Sequence, residues 1–205
     1  MRGVIVLLTL LFAALFAGVA VSWQQQAADQ ALWQQEGVMW FPQPLPVGEF
    51  EFVTQNGDRV SHQDLTDRWK LIFFGYTFCP DICPTTLADL SRSWKKLAPE
   101  VQEKLQVVLV SVDPQRDTVA SLKPYMDYFN PAFLAFTGSP QSLAAITPQL
   151  HAFYARVERD DGMAYLMDHT ANIALVSPDW QYHGYIAPPH WPKRMVPLLE
   201  SLANK

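Results

Sequence analysis

The sequence predicts an α/β fold in which a mixed β-sheet is flanked by helices. Apolar runs of strand length alternate along the chain with segments in which apolar residues recur every three or four positions, the spacing of an amphipathic helix. Residues 105–112 form an apolar run that fits a strand buried on both faces. Near the C-terminus two adjacent strand candidates precede a closing helix, so the sheet is expected to be mixed.

The elements are expected in the following order. Residues 49–54 alternate between polar and apolar side chains, and a turn signal follows at residues 55–58, which predicts a β-hairpin. Further strands are expected at residues 69–74, 105–112, 133–137, 171–176 and 181–186, and helices are expected to begin at Pro84, Thr118, Ser139 and Pro192. The helix from Ser139 is expected to continue to Phe153, and residues 157–165 to form a polar loop or an irregular hairpin. The two cysteines, Cys79 and Cys83, follow the strand at residues 69–74, with which the alternation of strands and helices begins. This order predicts a thioredoxin-like domain.

Length and charge restrict the function. The chain has 205 residues, enough for one domain with a substantial core and an accessory segment. Its formal net charge is -5, and no basic patch with interleaved aromatic residues occurs, so nucleic acid is not an expected partner. Two cysteines cannot build a disulfide scaffold, so their role is expected to be local.

An uninterrupted apolar stretch occupies residues 4–22. Its length is enough to cross the roughly 30 Å hydrocarbon core of a bilayer, which predicts a transmembrane anchor over residues 1–23. Arg2 is the only basic residue before the stretch, and none follows until Arg59. The positive-inside rule then places the N-terminus in the cytoplasm and the C-terminal domain outside it, which for the expected single-pass protein of the inner (plasma) membrane is the periplasm. The alternative is a cleaved signal peptide, since residues 18–20 offer a small-x-small site.

A tether and one domain are expected after the anchor. Residues 24–47 are rich in Gln and Ala and then in proline, a composition typical of a spacer that ends in an extended segment. Residues 48–205 are expected to form the thioredoxin-like domain.

Both cysteines of the chain lie in one loop, spaced as C-x-x-x-C. Cys79 and Cys83 follow the apolar residues 71–74 and precede a predicted helix, so the sulfurs are expected near a helix N-terminus. Unpaired backbone N–H groups there lower the pKa of a thiol. If Cys83 begins the helix, the two Cα atoms lie about 5–7 Å apart, which permits a disulfide or the binding of one metal ion by both sulfurs. Redox chemistry and metal binding are therefore both open.

His169 is the expected third donor. It follows Asp168 and precedes a strand that is expected to pair within the central sheet. Two thiolates and an imidazole form a soft donor set that suits Cu(I) and accommodates Cu(II), whereas zinc prefers a fourth ligand. The alternative is a structural histidine at the start of a strand, and Asp168 either orients the imidazole or is an exposed loop acid. The remaining histidines are more typical of surface or capping groups than of ligands: His62, His151, His183 and His190.

Residues 111–118, with the sequence SVDPQRDT, follow a strand that is expected to end at the same sheet edge as the cysteines. Asp117 and Thr118 are typical helix-capping residues. Asp113 and Arg116 are the other pair of interest, because an ion pair between them would shape the loop beside the cysteines.

Three motifs together resemble the signatures of the Sco/SenC family. They are GYTFCPDICP at residues 75–84, SVDPQRDT at residues 111–118 and YLMDHT at residues 165–170, and the resemblance extends in order over residues 46–202. Three motifs in the right order are far more specific than a single C-x-x-x-C. One departure is Trp180, which stands in a turn where the family commonly has Asp-Gly.

The resemblance implies a membrane-anchored copper protein with a thioredoxin fold. Members of the family deliver copper to the binuclear copper site of cytochrome c oxidase or keep the cysteines of that site reduced. Carried over to this sequence, the family's copper ligands are Cys79, Cys83 and His169. The expected partner is the copper-receiving subunit of the oxidase, with other copper chaperones and thiol reductants as further partners.

Two functions are expected, a copper metallochaperone first and a thiol–disulfide oxidoreductase with Cys79 and Cys83 as the redox-active pair second. Thioredoxin-type enzymes use C-x-x-C and a proline before the facing strand, whereas this chain has C-x-x-x-C and His169, which favours the metallochaperone. One protein can combine both functions, so enzymatic activity is left open. A peroxidase is least favoured, because peroxiredoxins have a threonine three residues before the reactive cysteine and here Thr77 lies two before Cys79.

Overall fold

A computed structural model describes residues 10–21, 23–24, 33–34 and 36–205. The chain divides into two compact units, Met1–Glu36 and Gly37–Lys205. Within the part of the first unit that the structure describes, residues 10–21 are helical and exposed.

The predicted anchor and tether fall only partly within the described residues. Residues 1–9 and 22 of the anchor, and residues 25–32 and 35 of the tether, lie outside them. No helix among the described residues is long and apolar enough to cross a membrane.

The second unit is built on a mixed sheet. Its strands are β1 (Val38–Pro46), β2 (Glu51–Thr54), β3 (Arg59–Ser61), β4 (Trp69–Gly75), β5 (Leu105–Ser111), β6 (Leu134–Thr137), β7 (Tyr154–Val157), β8 (Leu166–His169), β9 (Ile173–Val176) and β10 (Gln181–Ile186). Eight of them form one sheet in the order β1-β10-β9-β4-β5-β6-β2-β3, and β7 and β8 form a separate two-stranded sheet. Its helices are α1 (Ile82–Trp94), α2 (Pro99–Gln102), α3 (Val119–Phe129), α4 (Pro140–Ile146) and α5 (Pro192–Ala203), with a 3₁₀ turn at Pro148–Leu150. This sheet and its helices confirm the predicted α/β class.

The centre of the sheet determines where the functional loops meet. β4 and β5 are parallel, with Gly75 opposite Ser111 at their C-terminal ends, and every residue of both strands is buried. β9 pairs antiparallel with β4, with Ile173 opposite Phe73. The loops that follow β4 and β5 and the segment that leads into β9 therefore lie at the same edge of the sheet.

Residues 38–46, which the sequence assigned to the tether, form the edge strand β1. β1 pairs antiparallel with β10, and the register shifts between Trp40 and Leu45, a stretch that contains Pro42 and Pro44. Proline lacks a backbone N–H and is tolerated at a sheet edge or a bulge, so the prolines did not prevent a strand. The sheet thus includes residues that precede the predicted domain start at residue 48.

The segment after α4 forms a hairpin instead of a longer helix. α4 ends at Ile146, since Pro148 cannot donate the hydrogen bond that would continue the helix, and His151 then adopts a left-handed φ of 50°. β7 and β8 pair antiparallel, with Tyr154 opposite His169. The irregular hairpin expected from the sequence is therefore longer than predicted, and its second strand carries His169.

Trp180 fills the turn between β9 and β10, where it adopts a φ of 57° and is buried. Its indole N–H donates a hydrogen bond to the carbonyl oxygen of Asp64 at 2.9 Å, and the Lys70 ammonium lies 4.3 Å from the ring centroid. Lys70 is near the start of β4, whereas the cysteines follow its end. Trp180 therefore contributes to packing at the end of β4 that is remote from the cysteines.

Candidate metal centre

The two cysteines lie where β4 gives way to α1. Cys79 is half-buried in the connecting loop, and Cys83 is completely buried in the first turn of the helix. Both are free thiols. The backbone N–H of Cys83 points at the Sγ atom of Cys79 with an N–S distance of 3.4 Å, so the helix N-terminus faces the more accessible sulfur.

His169 approaches the cysteines from the end of β8. Its Nε2 atom lies 3.3 Å from the Sγ atom of Cys83, although the two residues are 86 positions apart. Its Nδ1 atom lies 3.1 Å from the carbonyl oxygen of Thr170. Because a carbonyl oxygen only accepts hydrogen bonds, Nδ1 carries the proton and the lone pair of the neutral ring is on Nε2, which faces the sulfurs.

The three predicted donors thus converge. The Sγ atoms of Cys79 and Cys83 and a ring nitrogen of His169 all lie within 4.8 Å of one another, and no other group of three or more His, Cys, Asp or Glu donors forms among the described residues. Thiolates and imidazoles bind metal ions at about 2.0–2.3 Å, so these atoms can share one ion with little side-chain movement.

The two thiols have opposite electrostatic properties. Hydrogen bonding from the Cys83 thiol, supplemented by the backbone N–H groups of Asp81 and Cys83, lowers the pKa of Cys79 far below that of an ordinary thiol, although burial opposes the shift. The pKa of Cys83 is raised, because its thiol serves as the donor to Cys79 and because it is buried. At neutral pH the pair therefore holds one proton, which must leave when both sulfurs bind a metal ion.

We expect the alkylation rate of Cys79 in the reduced, metal-free chain to be nearly constant between about pH 7 and pH 9, the range in which an ordinary thiol ionises. The lowered pKa means that reactivity is lost only when the pH falls well below this range. The rate with iodoacetamide is measured by mass spectrometry. In the variant Cys83→Ala, which lacks the donor thiol, the rate should regain a pH dependence; a steep rise in the wild-type chain contradicts the assignment.

Asp117 holds the cysteine loop by hydrogen bonds. Its buried carboxylate accepts hydrogen bonds from the backbone N–H of Thr77 at 3.1 Å and from the hydroxyl of Ser111 at 2.6 Å, and burial raises its pKa. Thr118 caps α3 as predicted, since its side chain accepts from the N–H of Ser121. Asp117, which was predicted as a second cap, instead joins the loops after β4 and β5.

The other candidate residues lie outside the donor group. Asp168 is exposed, and the group that holds Nδ1 of His169 is the carbonyl of Thr170. Asp113 and Arg116 form the predicted ion pair. Among the described residues, the donor group contains none of the four histidines that the sequence marked as less typical of ligands, which are His62, His151, His183 and His190.

Gly75 is a functional position that the sequence analysis missed. A Cβ atom at this position would lie 2.9 Å from the Sγ atom of Cys83 and 3.0 Å from side-chain atoms of Leu109 and Phe73. Cys83 can occupy its position only because residue 75 has no side chain. A glycine at the end of a buried strand, directly after the apolar residues 71–74 and before the cysteine loop, is the signal that indicates such a close approach.

Comparisons of the sequence and of the structure with known proteins point to the same family. The sequence model of the family described as SCO1/SenC matches residues 42–204. A protein of Stutzerimonas stutzeri, named there as a candidate copper-binding protein, is 37% identical over 185 residues, which make up 90% of each chain. The structure of Bradyrhizobium japonicum ScoI with copper bound has a TM-score of 0.69 and 33% identity, covering 77% of this chain and 99% of that one. The solution structure of apo Sco1 from Thermus thermophilus has a TM-score of 0.71 and 35% identity, covering 80% and 95% of the respective chains.

Proposed function

Since the chain belongs to the SCO1/SenC family, we propose that it is a copper metallochaperone that binds one copper ion through Cys79, Cys83 and His169. The observation that carries the proposal is the convergence of the three donor atoms to within 4.8 Å. The copper-bound structure of the Bradyrhizobium relative supports copper as the ion. Two thiolates and one imidazole are also the donor types that Cu(I) prefers.

The cargo is delivered to the binuclear copper site of cytochrome c oxidase, on the copper-receiving subunit. The burial of the three donors suggests an order for the transfer. Cys79 and His169 are half-buried and Cys83 is fully buried, so ligands of an acceptor reach the ion from the side of Cys79 and His169. Cys83 is then the last of the three ligands to dissociate from the ion.

The proposed setting is the outer face of the inner membrane. Residues 1–23 anchor the chain, and this orientation is supported by Arg2 before the apolar stretch at residues 4–22 and by the absence of any further Lys or Arg until Arg59. Since β1 begins at Val38, the tether is proposed for residues 24–37. The copper-binding domain then faces the periplasm.

A second candidate function is reduction of the acceptor's cysteines. The unequal thiols favour it, because Cys79 has the lower pKa and is accessible while Cys83 is buried beside it. The Cys79 thiolate would attack an acceptor disulfide and release one acceptor thiolate. Cys83 would then lose its proton and attack Cys79, which releases the second thiolate and leaves a Cys79–Cys83 disulfide. Two electrons pass to the acceptor, and a thiol reductant must restore the pair.

One experiment separates the two functions. The reduced full chain, in detergent, is titrated with copper and then mixed with a soluble oxidase domain that carries the binuclear site. We expect one equivalent of tightly bound copper, sulfur-to-Cu(II) charge-transfer absorption in the oxidised form, and transfer of the ion to the acceptor when its cysteines are reduced. Failure to bind or to transfer copper rules out the metallochaperone.

The redox arm uses the metal-free chain and the same acceptor with its cysteines oxidised. Appearance of two acceptor thiols together with a Cys79–Cys83 disulfide supports the second function. Absence of thiol–disulfide exchange excludes reduction of the acceptor as a function. Cys79→Ser and Cys83→Ser are the controls in both arms.

A further inference from the structure

The hairpin that carries His169 is weakly integrated into the domain. β7 and β8 form their own two-stranded sheet and make no ladder with the eight-stranded one. No residue of either strand is fully buried. The hydrogen bonds between Phe153 and Thr170 at its base join the two sides of the hairpin to each other. Burial of its strands therefore does not hold the hairpin in place, although the His169 ring itself lies edge-on to Phe73 and Tyr76, with ring centroids 5.9 Å away in each case.

Polar contacts connect β8 and the residue before it to the rest of the domain. The backbone N–H of Met167 donates to the hydroxyl of Tyr76 at 3.1 Å. The guanidinium of Arg116 donates to the carbonyl oxygen of Tyr165 at 3.0 Å. The hydroxyl of Tyr165 in turn donates to Asp113 at 2.8 Å.

Arg116 is the centre of these contacts. Its guanidinium forms the ion pair with Asp113, and the two side chains are only 16% and 3% exposed. The guanidinium carbon lies 3.7 Å from the ring centroid of Tyr165 and 4.9 Å from that of Phe78, which adjoins Cys79. One side chain thus touches all three signature motifs. Arg156 also lies 3.8 Å from the Tyr165 ring, but it belongs to β7 of the same hairpin and does not connect it to the domain.

We propose that Arg116 is the positioning residue that keeps His169 within reach of the two sulfurs, by fixing the β7–β8 hairpin to the loops after β4 and β5. This inference rests on the proposed function, because it takes His169 as a copper ligand. Arg116 itself contacts no copper. A planar guanidinium suits the task, since it stacks on aromatic rings while its N–H groups bond a carboxylate and a carbonyl in its plane.

The test variant is the double substitution Asp113→Asn/Arg116→Gln. Removing both charges together avoids leaving Asp113 buried and unpaired, which would destabilise the fold. The matched control is Asp89→Asn/Arg92→Gln. Asp89 and Arg92 form an ion pair with the same i,i+3 spacing and an equally buried aspartate, in α1. A milder variant, Tyr165→Phe, removes only the hydroxyl that donates to Asp113.

We expect the Asp113/Arg116 variant of the full chain to bind copper about tenfold more weakly, as is typical when the support of a metal ligand is removed. The nitrogen hyperfine coupling of the Cu(II) form should weaken as well. In a His169→Ala background the same variant should cause no further loss, because its effect passes through His169. Tyr165→Phe should act in the same direction by a smaller factor, and the Asp89/Arg92 control should bind like the wild type.

A second readout needs no metal. Hydrogen exchange at the Met167 amide should become faster in the Asp113/Arg116 variant and stay unchanged in the control. Wild-type affinity combined with unchanged exchange overturns the proposal, as does a loss of affinity that persists in the His169→Ala background. If the wild-type chain itself binds no copper, the proposed function fails, and the exchange rate still decides whether Arg116 holds the hairpin.

Discussion

Replacing His169 by alanine is expected to weaken copper binding by at least about 100-fold, because the loss of a ligand exceeds the 10–100-fold effect of losing a supporting contact. The two sulfurs that remain offer Cu(I) a poorer site, and no other histidine is part of the donor group in the described residues. Affinity is measured by competition with a chromophoric Cu(I) chelator.

The thiols provide the internal control for this variant. Both cysteines should still react with a thiol reagent, since the main cause of the lowered pKa of Cys79 is the hydrogen bond from Cys83, which the substitution leaves in place. His151→Asn is the matched histidine variant, because His151 has a left-handed φ of 50° that asparagine tolerates. Wild-type affinity and an unaltered Cu(II) spectrum in His169→Ala would show that the imidazole is not a ligand.

Replacing Gly75 by alanine is expected to affect both stability and copper binding. The new methyl group would lie 2.9 Å from the Sγ atom of Cys83, in a strand without an exposed residue, so either the sulfur or the strand must shift. Overpacking of a filled core costs about 1–3 kcal/mol of unfolding free energy. Denaturant unfolding measures that loss, and a chelator competition measures the accompanying loss of copper affinity.

Gly48→Ala is the comparison for this substitution. Its Cβ atom would meet only the side-chain amide oxygen of Gln149, at 3.3 Å, and this flexible side chain can adjust while its exposed hydrogen bond from the Gly48 N–H is kept or exchanged for water. We expect near wild-type stability and copper binding there. If Gly75→Ala behaves in the same way, the packing of Cys83 against the backbone of β4 does not restrict the site.

The sequence predicted the position of the site because strong local signals coincide there. The apolar strands β4 and β5 were recognisable, and parallel neighbours necessarily bring their C-terminal loops together. The antiparallel pairing of β9 with β4 then brings His169 to the same edge. His169, which lies 86 positions after Cys83, could therefore be placed beside the two cysteines from the sequence.

Other features depend on information that a local pattern does not contain. The carbonyl of Thr170, which fixes the tautomer of His169, is a backbone group and has no residue signature. The prolines of β1 indicated a spacer, although an edge strand tolerates them as well. The ion pair of Asp113 and Arg116 was predictable from its spacing, but the stacking of Arg116 on Tyr165 joins positions 49 apart in the chain and required the fold.

The edge position of β1 also bears on how copies of the chain meet. An outermost strand normally exposes a row of hydrogen-bonding groups that can template the strand of another molecule. Three of the nine residues in β1 are prolines, at positions 42, 44 and 46, and none of them can donate such a bond. The other outer strand, β3, is only three residues long. Side-by-side polymerisation through the sheet is therefore disfavoured at both margins, which agrees with the proposed transfer of copper between single molecules.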